Sequence, residues 1–134
     1  TSRPALFGAM RRAAGDECRH LGLLFHQENL LDDAQRWYQR ALDAFEEVRD
    51  VDRTARTYGQ LAKVAENRGD LTTALEWAAR THGLASEHQL PALVQAKTHL
   101  ATLRDKYGVE NFTSWWQGFT GGDPPGDLDN NEDV

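Results

Sequence analysis

One cysteine, Cys18, in 134 residues excludes an internal disulfide framework. Its place beside Leu21 on the apolar side of a helix marks it as a small buried filler rather than a reactive thiol. A reducing, cytoplasmic setting follows as the expectation. Long hydrophobic runs are missing too: none approaches the roughly 20 residues that span a bilayer, so no membrane partner is expected. A basic surplus is absent, with 15 Lys and Arg against 21 Asp and Glu, so the attraction that dominates nucleic-acid binding is weak. The imbalance is local. Residues 119–134 hold five acids and no base, and the rest of the chain is close to neutral.

Signatures of chemistry are also scarce. The chain contains no glycine-rich phosphate loop, no Gly-x-Ser-x-Gly and no paired cysteines. Its five histidines include His20 with His26 and His82 with His88, each pair six residues apart. That spacing does not stack two imidazoles on one helix face as an i, i+4 pair does, so neither metal nor cofactor is expected. Asp32-Asp33 and Glu46-Glu47 are adjacent and point to different helix faces, which suits solvated or helix-end charge better than an acid–base couple. The chain is read as a non-enzyme.

What the sequence has in abundance is repetition. Tyr58, Leu61, Ala62 and Ala65 fall at the three-and-four spacing of one helix face, and Leu71, Ala74, Leu75 and Ala78 form a second such stripe. Arg68-Gly69-Asp70 separates them: Gly69 supplies a left-handed helix end and Asp70 an N-cap. Forty residues upstream, Leu21, Gly22, Ala34 and Trp37 occupy the positions of Leu61, Ala62, Ala74 and Trp77. A weaker third copy follows 39 residues on, with Leu100-Ala101 and Trp116. Asn29 and Gly108 stand where Gly69 stands, and both tolerate the left-handed conformation. Asp50 and Asp52 offer caps before the middle copy.

Leu-Gly or Leu-Ala, then Gly-Asp, then Ala four residues after the Asp, then a bulky aromatic, resembles the tetratricopeptide repeat. RTYGQLAKVAENRGDLTTALEWA and AQRWYQRAL are similar to segments in the repeat arrays of bacterial signal-transducing NTPases and related regulators. The resemblance spans about Gly15 to Phe119. It implies an all-α, right-handed solenoid of about three helical hairpins, over residues 15–48, 51–87 and 91–119, within a domain of residues 1–119. Because such arrays are embedded in longer chains and this one begins with Thr, a piece of a larger protein is expected.

The family's implied role is non-catalytic protein binding, with the outward face of each first helix lining a concave groove. That face places Arg19, His20, Leu23 and His26 from copy one beside Arg56, Gln60, Lys63 and Asn67 from copy two. Copy three adds His99, Thr102 and Lys106, along with Gln95. Cations outnumber acids there, so an acidic peptide or helix suits it. The clamp used by chaperone-binding members is only partly matched, because Leu23 and Gln60 stand where asparagines belong.

The alternative is a structural or oligomerisation end-piece. Trp37, Trp77 and Trp116 lie beside the inner stripe, and a buried Trp removes about 150–250 Å² from water. At ~25 cal/mol/Å² that is at most ~4–6 kcal/mol each, well above the ~1 kcal/mol of a helix cap. With no apolar segment after Phe119 to cover them, Phe112, Trp115, Trp116 and Phe119 are expected to form an end face for a partner or a second copy. Residues 120–134 carry prolines, glycines and acids, which predicts a flexible acidic tail available to fold back into the groove.

Overall fold

The computed structural model describes residues 2–129. Within them run helices α1 (Arg3–Gln27), α2 (Leu31–Glu47), α3 (Val51–Asn67), α4 (Leu71–Glu87), α5 (Leu93–Tyr107) and α6 (Val109–Thr120), with no strand among the described residues. Each helix packs on its chain neighbours, α1 on α2 and α3 on α4 within hairpins, α2 on α3 and α4 on α5 between them. The result is a solenoid of helical hairpins.

A single local device builds most of the turns. The backbone N–H of Leu30, Asp50, Asp70 and Leu90 donates to the carbonyl five residues earlier, on Phe25, Phe45, Ala65 and Ala85, at 2.9, 2.9, 3.0 and 2.8 Å. This is the wide bond of a Schellman helix end, and it recurs every 20 residues. It needs a left-handed residue just before the donor. Asn29 (φ 59°) and Gly69 (φ 81°) supply it within hairpins, Arg49 (φ 57°) and Gln89 (φ 53°) between them. Asp50 and Asp70 then cap α3 and α4, accepting from Arg53 N and Thr73 N at 3.1 Å each. Asp52 lies in the first turn of α3 rather than capping it, and Pro91 precedes α5 instead of opening it.

Helix α1 passes through Gly8 and Gly15 without a break, so its first turns extend past the hairpin and leave Leu6, Phe7 and Met10 exposed. Tyr38, Phe45, Leu61 and Val64 are buried around the first two hairpins. Leu75, Leu100, Leu103, Phe112 and Trp116 are buried in a second cluster towards the C-terminus. Trp77 packs against both clusters, in contact with Tyr58 at 5.4 Å between ring centroids, and so joins the hairpins. Arg40 lies 4.7 Å over Trp37 and Arg80 4.8 Å over Trp77, one contact repeated at the 40-residue period.

The segment after α6 departs from the expected bare tail. Leu128 is 3% exposed and sits among Leu100, Leu103, Phe112 and Trp116. Lys97 and Arg104 on α5 pair with Asp127 and Asp129. One leucine between two acids is enough apolar surface when the helices already provide a socket and opposite charge. Residues 130–134 lie outside the described residues.

Candidate functional site

Helices α1, α3 and α5 are the first members of successive hairpins, and their outward faces line a cleft of about 400 Å³. Arg19 comes from α1, Arg56, Gly59, Gln60 and Lys63 from α3, and Gln95, Ala96 and His99 from α5. Ala55, Ala78, Thr81 and Ala92 contribute to its walls. Small side chains at these positions leave the volume open, and Thr81 satisfies its hydroxyl by donating to Trp77 O at 2.8 Å. Asp52 is the acid in the lining, paired with Arg56 one turn later, against three cations.

Two polar atoms in the lining lack a hydrogen-bond partner among the described residues: Arg19 Nε and Gln60 Oε1, both buried. One is a donor and the other an acceptor, and leaving each unmet costs about 1–3 kcal/mol. Behind Arg19, the Tyr38 hydroxyl is likewise buried and unmet. Burial pushes its pKa up to about 12, with the Arg19 charge opposing.

The expected groove residues divide into two sets. Arg19, Arg56, Gln60, Lys63 and His99 come together in the cleft. His20 and Leu23 are exposed on α1 outside its lining. His26, Asn67, Thr102 and Lys106 also stand outside it, mostly in side-chain bridges between first helices. His26 Nε2 lies 2.6 Å from Asn67 Oδ1, joining α1 to α3. Glu66 on α3 receives His99 Nε2 at 2.8 Å and the Lys106 ammonium, both from α5. Thr102 donates to Thr98 O at 3.0 Å within α5. The α4 contribution, Ala78 and Thr81, was not anticipated from the first-helix pattern. Its only trace in the sequence is the run of small residues along α4.

The end face is narrower than expected. Phe112 and Trp116 are 1% and 7% exposed, share a buried cluster with Leu128, and belong to the interior. Trp115 stacks on Phe119 at 4.8 Å, and Phe119, 42% exposed, faces out.

The Glu66 bridge has a consequence for pH. Burial pushes its carboxyl up, but hydrogen bonds from Lys106 and His99, with their charges, outweigh burial and hold the pKa below its ordinary 4.5. A carboxyl lowered in the folded state contributes stability above its unfolded pKa and loses it as pH falls through the folded value. Urea midpoints taken between about pH 5 and pH 3 are therefore expected to drop less in Glu66→Gln than in the native chain. An equal drop in both would remove the bridge as a stabilising contact.

A family model of the tetratricopeptide repeat matches residues 12–87, more than half of the chain. The chain belongs to the tetratricopeptide-repeat family. No curated protein compared with the chain matches it. The matched residues cover most of α1 and all of α2, α3 and α4, the two hairpins whose turns and small-residue positions follow the 40-residue period. Tetratricopeptide repeats are protein–protein interaction modules without catalytic chemistry of their own. Among the described residues no group of three or more His, Cys, Asp or Glu is placed to hold a metal ion, and no helix is long and apolar enough to cross a membrane.

Proposed function

We propose that the protein captures a partner by laying an extended peptide or a helix, with an acidic residue at its centre, into the cleft between α1, α3 and α5. The observation that carries this reading is the cation-rich lining of the cleft, Arg19, Arg56 and Lys63 against Asp52, with Arg19 Nε and Gln60 Oε1 buried and without a partner among the described residues. A peptide backbone or a carboxylate beside an amide offers an acceptor to Arg19 Nε and a donor to Gln60 Oε1. Lys63 and Arg56 at the cleft add attraction for acidic partners that salt weakens.

Peptides selected from a displayed library on the native chain are expected to be enriched in Asp and Glu. Arg56→Glu/Lys63→Glu is expected to weaken them about ten-fold, and Arg19→Met more, because the latter removes a desolvated contact. Retention of every selected peptide by both variants would remove the cleft as the site.

Self-association is a second reading, favoured by exposed apolar side chains at both ends of the solenoid. Leu6, Phe7 and Met10 stand at one end, Val109 and Phe119 at the other. Light scattering on Phe119→Ser separates it from the first reading, since only end-to-end packing predicts a loss of association from that surface change.

A further inference from the structure

Outside the cleft lining, side chains of α5 and α6 hold the segment that follows α6. Leu128 is buried in one cluster with Leu103 and Trp116, while the acids on either side of it meet cations two helical turns apart on α5. Lys97 Nζ is 2.9 Å from Asp127 Oδ2. Arg104 donates twice to Asp129, Nη2 to Oδ1 at 3.0 Å and Nη1 to Oδ2 at 3.2 Å. The Lys97 side chain is only 5% exposed. An ammonium so far removed from water requires an opposite charge, and Asp127 supplies one. His82 edges onto Trp116 at 6.3 Å. Burial lowers its pKa, with Asp127 opposing and Lys97 adding, so the neutral imidazole is favoured there.

Among the described residues, Asp127, Leu128 and Asp129 meet a socket formed by other elements, and nearer α6 Asp123 Oδ1 accepts from Gln117 Nε2 at 3.1 Å. Between Asp127 and α6 runs Gly121-Gly122-Asp123-Pro124-Pro125-Gly126, without regular secondary structure. Residues 127–129 are thus a short peptide bound in cis, with their carboxylates still 51% and 76% exposed. We propose that this socket is a binding site for acid–Leu–acid segments of a partner protein, occupied in the free protein by the chain's own Asp127-Leu128-Asp129.

A partner fits better than a second copy. The tether from α6 holds the chain's own segment at roughly millimolar effective concentration. An identical segment from another copy makes the same contacts without the tether and loses to it. A partner whose segment brings further contacts can displace it.

The probe is the heptapeptide Asp-Pro-Pro-Gly-Asp-Leu-Asp, the sequence of residues 123–129. It is titrated into the full chain carrying Asp127→Asn, Leu128→Ser and Asp129→Asn, which empties the socket. Saturable NMR shifts are expected at the Trp116 indole and the Leu100 and Leu103 methyls, and not at the Gln60 amide in the cleft. Adding Lys97→Met to the emptied chain is expected to weaken binding about ten-fold. Should the emptied chain fail to fold, the peptide is added at millimolar concentration to the native chain, where displacement moves the Leu128 methyl to its unfolded shift. No saturable shift in the emptied chain if folded, or no displacement in the native chain if it is not, overturns the proposal. A concentration-dependent dimer of the native chain that disappears with Leu128→Ser would put a second copy in the socket and overturn the partner assignment.

Discussion

Gly15→Ala is expected to lower stability by about 1–3 kcal/mol in the native chain, yet to raise it by up to about 1 kcal/mol in a Phe45→Ala background. A Cβ built on Gly15 meets three atoms of the Phe45 ring at 2.5, 2.9 and 3.0 Å, closer than carbon atoms pack. Phe45 is fully buried and has no room to swing aside. Once the ring is removed, the clash is gone and alanine's better helix propensity remains. Phe45→Ala alone is expected to cost ~3–5 kcal/mol, a large part of the 5–15 kcal/mol typical of a domain. Urea unfolding of the four chains closes the cycle, provided the slopes agree. Equal destabilisation by Gly15→Ala in both backgrounds would refute the steric account.

The same pairing explains why the first hairpin carries glycine where the second carries alanine. Gly22 faces the Tyr38 ring, with a built Cβ at 2.6 Å from it. Forty residues on, Gly15 and Phe45 become Ala55 and Ala85, while Gly22 and Tyr38 become Ala62 and Ala78. All four alanines are buried. One hairpin closes with glycine against an aromatic ring, the other with alanine against alanine. Helix contact is maintained by trading volume across it.

Trp116→Ala is expected to destabilise by ~3–5 kcal/mol and to release the C-terminal hairpin before the rest. Its side chain touches Phe112 at 5.8 Å and His82 at 6.3 Å between ring centroids, and Leu128 shares its cluster. Because solenoid repeats stabilise mainly their neighbours, amide exchange should quicken in α5, α6 and residues 127–129 while α1–α3 stay protected. Phe119→Ser, three residues later but on the surface, should stay within about 0.5 kcal/mol. If Trp116→Ala instead leaves stability unchanged and dissolves an oligomer, the tryptophan belongs to an exposed end face after all.

The sequence by itself determined the helical hairpins. Apolar spacing, the 40-residue recurrence, left-handed ends at Asn29 and Gly69, and caps at Asp50 and Asp70 act within one or two turns of chain, and each residue type declares its own preference. Gly108 takes a positive φ of 90° but with ψ 139°, an extended corner rather than a left-handed helix end. Only the tertiary structure decided the rest. Arg49 and Gln89 adopt the left-handed conformation with nothing in their chemistry to favour it, because the docking of one hairpin on the next requires a turn there. Arg19 and Gln60 line the cleft while His20 and Leu23 do not, since helix rotation and solenoid curvature choose among neighbouring polar residues. Leu128 looked isolated among acids and prolines. Its socket comes from side chains between Lys97 and Trp116, well away from it in sequence, and no local pattern encodes such a contact.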